Sequence, residues 1–420
     1  MQSQARGNEA KRRRPRRALV LSGGGARGAY EAGVLDYVTG PLAKRLGFVP
    51  RFDVYTGSSV GAVHACYMAA HADDLQAGSA GLLRIWQEMA FSRVYRFGLG
   101  DAWNFTRTAL GFVAGRPRPM GAHPKRMHGL LNTRPLEELV IRTIPWRRLW
   151  RNIREGMFDS LCVSTTEIAT GRTVNFVQSH HRTVASWTRD ESNVAVLTRV
   201  GPAHTLASAA IPMLFPAVRI GGTYYVDGAL RQATPLTPAL RLGANRLLIV
   251  GLRRPRAERL TDPLAAERVR QFRTLGFLIG KILNAVMSDR LEADVAHMRV
   301  LNRLLLAGIE TYGEDHVDRI NPFVEEERGH GFQLVQDAFI RPSENIGVIA
   351  ADHVRRLRAA PPVSLLGNLA FRFMTRGDPE READLMSYLL FDGRYAADLI
   401  ELGRQDARRQ EDELARLFLE

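Results

Sequence analysis

Through its first quarter the chain alternates short apolar runs with longer amphipathic ones. "ALVLS", residues 18–22, is apolar up to a cluster of glycines, the pattern of a strand buried on both faces. In residues 27–39, Tyr30, Val34, Leu35 and Val38 recur at three- and four-residue spacing. That spacing predicts a helix, stopped by Gly40-Pro41. "RFDVYTG", 51–57, predicts a second strand, and "SVGAVHACYMAAHA", 59–72, a helix apolar on most sides. Strand, helix, strand, helix in this order predicts a parallel sheet with right-handed crossovers.

The rhythm changes over residues 80–158, which mix aromatics, Gly and Pro-flanked arginines before a helix-like "RPLEELVIRTI". "FDSLCVSTTEIATGRTVNFVQS", 158–179, predicts a hairpin turning at Thr170-Gly171. Residues 204–230 read as a short helix, a Pro-bounded loop and strands; "NRLLIVGL", 245–252, reads as another buried strand. From about 260 the pattern is mainly helical. Phe272, Leu275, Ile279, Ile282 and Val286 keep helical spacing, as does 395–420, with a late strand at 332–340. No repeat of 20–50 residues is present.

Composition adds a charge bias. The 420 residues carry a formal net charge of +14, almost all of it from arginine. Part of the excess is the run "KRRRPRR", 11–17, which has nothing apolar to bury and reads as a solvated arm. The run lacks the apolar stretch of a signal peptide, and no segment reaches the roughly 18 apolar residues of a membrane span. The expectation is a cytoplasmic protein. Residues 11–17 are a candidate peripheral contact to anionic membrane; no nucleic-acid partner is expected. Cys66 and Cys162 lie in apolar runs and read as small buried hydrophobes. No Cys/His spacing suggests a metal, including at His180-His181.

Two glycine-rich turns carry candidate chemistry. Gly23, Gly25 and Gly28 in "SGGGARG" satisfy G-x-G-x-x-G, which lets backbone N–H groups approach an anion at a helix N-terminus. "GSSVG" (Gly57, Ser58, Ser59, Val60, Gly61) satisfies G-x-S-x-G between a strand and a helix. There a serine is held on a strained turn, and glycines two before and two after make room for the bend. A carboxylate candidate is Asp227 in "YYVDGAL", followed by Gly228 and Ala229. The histidines downstream of it, His297, His316, His330 and His353, sit in helical or charged surroundings. With the serine already on the second strand, a Ser–acid–His order of the α/β-hydrolase kind is not indicated.

"SGGGARGAYEAGVL", "GSSVGA", "SAAIPMLFP" and "VDGA" together resemble the patatin-like phospholipase family, in order and spacing, over about residues 18–252. The resemblance implies a three-layer α/β/α sandwich with a mainly parallel sheet, here followed by a helical C-terminal extension. It implies a lipid acyl-ester hydrolase with Ser59 as nucleophile, Asp227 as base and no histidine. Gly23, Gly24, Gly25, Ala26, Arg27 and Gly28 would form the oxyanion loop, Gly57 and Gly61 the elbow. The partner would be a lipid or phospholipid substrate, with no cofactor or metal. Its division of the chain is an arm at 1–17, a catalytic domain at 18–252 with an insertion at 80–158, and a helical region at 253–420. Val60, Ala210, Met213 and Ala233 depart from common family residues without touching Ser59 or Asp227.

Rival readings remain at this level. A dinucleotide-binding oxidoreductase would use the glycine loop with Asp53, 25 residues after Gly28, on the ribose. A non-catalytic membrane or anion binder would use the basic arm. A thioesterase or another lipid esterase would share the same serine. Arg27 reads either as an anion-binding group or as a solvated arginine at a helix start.

Overall fold

The computed structural model describes residues 15–95, 132–181, 191–212, 214–254, 291–328, 330–359 and 385–419. The candidate helix around 269–287, Met213, residues 1–14 and residues 96–131 of the 80–158 stretch lie outside them. Among the described residues, nine strands form one sheet. They are β1 (Arg17–Leu21), β2 (Val54–Ser58), β3 (Ser160–Glu167), β4 (Thr173–Ser179), β5 (Asn193–Leu197), β6 (Val218–Ile220), β7 (Thr223–Asp227), β8 (Arg246–Val250) and β9 (Gln336–Ile340). Their order is β5-β4-β3-β2-β1-β8-β9, with β7 joined to β3 and β6 to β7. The run β3-β2-β1-β8-β9 is parallel throughout. β4 and β7 meet β3 antiparallel.

The β1 run is apolar because both faces of the strand are covered. Leu19 and Leu21 face one core and Ala18 and Val20 the other, following the two-residue period of a strand. The first face packs against helices Ala29–Tyr37, Val60–Ala70 and Gly393–Arg409; the second packs against Leu236–Arg241 and Leu291–Tyr312. The result is a three-layer α/β/α arrangement with a mostly parallel sheet. Cys66 and Cys162 are buried on opposite faces as free thiols. The hairpin turns as expected, with Gly171 at φ 67° between β3 and β4.

Gly40-Pro41 does not stop the first helix. Val38–Leu42 widens into a π-turn that contains Pro41, and Ala43–Leu46 carries the helix on to Gly47 at φ 77°. A widened turn accommodates a proline that has no N–H to donate. Buried Val38 and Leu42 hold this segment on the core.

Described residues beyond 252 join the same sheet and core. β9 pairs with β8 along its length, Arg246↔Gln336 to Val250↔Ile340. Gly393–Arg409 crosses Ala29–Tyr37 at close range. A methyl at Gly33 would run into the Ile400 carbonyl, and one at Gly403 into the Tyr30 carbonyl. Tyr30 donates to Asp406 at 3.0 Å, and Arg404 pairs with Asp36 at 2.7 Å. Gly33→Ala is therefore expected to prise the helices apart, at about 1–3 kcal/mol. A thermal melt of the variant checks this, and an unchanged midpoint would refute backbone-to-backbone packing.

At the other end, Arg16 and Arg17 belong to the fold rather than to a free arm. The Arg16 N–H donates to Asn245 at 2.9 Å, and its guanidinium pairs with Asp159 at 2.9 Å. Arg17 opens β1. Residues 11–14 of the basic run lie outside the described residues.

Candidate active site

Ser59 follows β2 directly and opens the helix Val60–Ala70. Its backbone sits at φ 54°, ψ −126°, and among the described residues it is the non-glycine residue at positive φ. Such a conformation costs on the order of 1–3 kcal/mol and persists where the surroundings enforce it. The flanking glycines are the enforcing geometry. A methyl at Gly57 would run into the Gly61 carbonyl, and one at Gly61 would lie 2.5 Å from the Leu21 carbonyl oxygen. The elbow therefore folds against itself and against the end of β1. The Ser59 N–H donates to Ser208 Oγ at 2.9 Å, and Ser208 donates to the Ser164 carbonyl at 2.6 Å.

Asp227 arrives by a split in the sheet. Along β3, β2 pairs as far as Ser58↔Ser164; β7 takes over at the next position, Asp227↔Thr165. The strand carrying Asp227 is thus antiparallel and approaches from beyond the end of β2. It is not a further parallel strand. Ser59 Oγ donates to Asp227 Oδ2 at 2.6 Å. The second oxygen, Oδ1, accepts the Ala229 N–H at 2.8 Å. Contrary to the sequence expectation, Ala210 does touch Asp227: its carbonyl accepts the Asp227 N–H, because the loop after Ser208 runs against β7; the Asp227 carbonyl accepts from Thr166 Oγ1 at 3.1 Å. Complete burial raises the carboxyl pKa from 3.8 to about 7, against the lowering effect of the Ser59 and Ala229 donors. A methyl at Gly228 would run into the Ser164 carbonyl, so the Asp-Gly turn needs its glycine.

The glycine loop closes over this pair. A methyl at Gly23 would lie 2.9 Å from Ala229 Cβ and 3.0 Å from Ser59 Cβ, which places three separate sequence motifs in contact. The loop's donors are not equivalent. The Gly23 N–H is held by the Ala233 carbonyl at 2.8 Å, and the Arg27 N–H by the Gly24 carbonyl at 3.1 Å. The N–H groups of Gly24, Gly25 and Ala26 have no hydrogen bond to another described residue. Gly28 serves packing, since a methyl there would lie 2.5 Å from Val60 Cγ2.

Arg27 is buried, not solvated. Its Nε and Nη2 donate to Ser387 Oγ at 2.9 and 2.7 Å, and its guanidinium lies 3.9 Å from the centre of the Tyr388 ring. The Tyr388 carbonyl abuts Gly25. A segment more than 350 residues downstream thus clasps the loop. Neither that clasp nor the role of Ser208 is legible in the sequence: Ser387 has no motif around it, and Ser208 lies within "SAAIPMLFP" without any mark of its own.

An apolar cavity of about 80 Å³ opens beside Ser59, walled by Val60, Trp86, Leu136, Ile144, Phe215 and Phe391. Leu136 stands on helix Arg134–Thr143, so part of the 80–158 stretch lines it. Asp53 is remote from all this. It precedes β2, at the opposite end of the sheet, and accepts the Arg17 N–H at 2.7 Å. It has no access to a ligand on the glycine loop, which removes the support for a dinucleotide site.

A serine elbow, a buried carboxylate and a glycine loop thus meet at one end of the α/β/α sheet, beside an apolar cavity. The family is defined by the sequence itself: the model of the patatin-like phospholipase family, Patatin, matches residues 19–240, and the chain belongs to that family. Among solved structures, VipD from Legionella pneumophila is similar at 12% identity, covering 92% of this chain and 67% of that one, with a TM-score of 0.28. No curated protein matches. Among the described residues no helix is long and apolar enough to cross a membrane.

Proposed function

We propose that the protein hydrolyses acyl esters of lipids, phospholipids foremost, with Ser59 as nucleophile and Asp227 as its base. The observation that carries this reading is the 2.6 Å hydrogen bond from Ser59 Oγ to Asp227 Oδ2 at the strained elbow. As Ser59 Oγ attacks the ester carbonyl, its proton passes to Asp227. The tetrahedral oxyanion is held by the N–H groups of Gly24, Gly25 and Ala26, while Gly23 and Arg27 fix the loop's shape. Each such donor is worth about 3–4 kcal/mol in the transition state where one has been removed and measured. Asp227 returns the proton to the leaving alcohol, and then deprotonates the water that cleaves the acyl-enzyme. The acyl chain lies in the apolar cavity beside Ser59.

The test is covalent. A fluorophosphonate is expected to label the wild-type protein on the peptide that contains Ser59, and to leave Ser59→Ala unlabelled. The same pair, given phosphatidylcholine vesicles, lysophosphatidylcholine, a triacylglycerol and an acyl-thioester, separates phospholipase from lysophospholipase, lipase and thioesterase. Label on any other residue, or acyl release by Ser59→Ala, would overturn the reading.

A further inference from the structure

Behind the glycine loop lies a buried polar chain that the catalytic steps do not use. The Ser22 N–H donates to Glu31 Oε1 at 2.8 Å. Glu31 Oε2 and His64 Nδ1 are 2.7 Å apart, and Trp86 Nε1 donates to His64 Nε2 at 3.0 Å. Glu31 is fully buried and His64 is 2% exposed.

The chain has one consistent protonation. An indole N–H is a donor only, so His64 Nε2 must offer its lone pair to Trp86. A neutral imidazole then carries its proton on Nδ1, and that proton points at Glu31. With Ser22 donating to its other oxygen, both Glu31 oxygens act as acceptors. A Glu31 that donated a proton to Nδ1 would push the imidazole proton to Nε2, where it would face the Trp86 N–H, donor against donor. Burial raises the Glu31 pKa, and the donors from His64 and Ser22 oppose that rise. Glu31 also lies in the first turn of its helix, where the helix dipole favours a negative charge.

We infer that Glu31, His64 and Trp86 are positioning residues that lock the glycine loop to the nucleophile's helix through a single imidazole tautomer. Ser22 is the last residue before the loop, and its Oγ is itself tied to the Val250 carbonyl at 2.6 Å. His64 stands on the helix that Ser59 opens. A methyl on Gly28, within the loop, would lie 3.1 Å from His64 Cε1, so the imidazole packs directly on the loop. His64 and Trp86 also wall the apolar cavity. The chain thus couples the two halves of the site, oxyanion donors and nucleophile, whose relative placement decides the rate. A misplacement of about 1 Å costs on the order of a hundredfold. The inference rests on the catalytic reading above for its kinetic arm, but not for its tautomer.

The experiment has two arms. In the first, nitrogen-15 NMR of the imidazole in the wild-type protein is expected to show His64 protonated on Nδ1 and bare on Nε2; the opposite tautomer would overturn the inference, whatever the protein's activity. In the second, Glu31→Gln, Trp86→Phe and the double variant are assayed on p-nitrophenyl butyrate. The amide introduced by Glu31→Gln has one acceptor oxygen and cannot accept from both Ser22 and His64. Every arrangement open to it therefore contains one donor–donor clash while Trp86 is present. Glu31→Gln is expected to lower kcat about ten- to a hundredfold with little change in KM. Trp86→Phe removes the clashing donor, so the double variant is expected to be no worse than Glu31→Gln alone. Multiplicative losses, or a Glu31→Gln enzyme with wild-type kcat, would overturn it. Ser59→Ala in the same assay keeps the outcomes apart: its activity tests the nucleophile, not the chain.

Discussion

Ser59→Ala is expected to remove ester hydrolysis by about a thousandfold or more, since it deletes the proposed nucleophile. The fold is expected to survive. Among the described residues Ser59 Oγ makes one hydrogen bond, to Asp227, and Asp227 keeps its Ala229 partner when the hydroxyl is gone. What alanine does not relieve is the backbone: at φ 54°, ψ −126°, any residue with a Cβ is strained. Ser59→Gly is therefore expected to be equally inactive and to melt at a higher temperature than Ser59→Ala. Parallel turnover assays and thermal melts check both statements. Equal melting of the two variants would mean that the elbow is unstrained, and retained turnover in either would mean that Ser59 is not the nucleophile.

Asp227→Asn carries the second large effect, and it has two signs. Activity is expected to fall about a thousandfold or more, because an amide cannot take the Ser59 proton. Stability at pH 8 is expected to rise. In the unfolded chain the carboxyl titrates near 3.8, and in the fold at about 7. Between those values the folded state binds more protons than the unfolded one, so stability falls as pH rises from about 4 to about 7, and the loss is complete above that. The gap corresponds to on the order of 4 kcal/mol. Asparagine removes this penalty and keeps the geometry, its oxygen accepting from Ala229 and its amide donating to Ser59 Oγ. The variant's advantage in melting temperature is expected to be large at pH 8 and to shrink toward pH 5. The wild-type kcat/KM is expected to rise with pH and level off above about 7, as the base loses its proton. A stability gap independent of pH, or a rate flat down to pH 5, would remove Asp227 from the role.

The two effects have one cause. Burying the carboxylate with no cation beside it among the described residues raises its proton affinity, which suits it to the proposed role of base at neutral pH and makes it a burden on the fold. The strained backbone of Ser59 is the same kind of cost, borne at the proposed nucleophile.

The sequence went furthest where local chemistry is decisive. β1, β2 and the helix after Ser59 are where their apolar runs place them, because a strand covered on both faces has few other ways to satisfy its pattern. The elbow was legible for the same reason: only glycines fit at Gly57 and Gly61, and their spacing around a serine survives in the chain. The end of the first helix was not legible. Gly40-Pro41 is a strong local stop, yet the burial of Val38 and Leu42 carries the helix through it. Arg27 was ambiguous, because the residues that bury it lie at 387 and 388.

The parts of the site are thus written locally: a parallel α/β order, a glycine loop, a serine elbow and an Asp-Gly-Ala turn, each a short-range pattern set by backbone sterics. How those parts meet is a matter of tertiary structure alone. Asp227 reaches Ser59 because β7 replaces β2 as the partner of β3 one position beyond Ser164, a register that no local pattern encodes. Which loop donors are open follows from the Ala233 carbonyl, which takes the Gly23 N–H and leaves those of Gly24, Gly25 and Ala26. Long-range pairing and burial set these contacts, and both arise only when distant segments exclude water from one another.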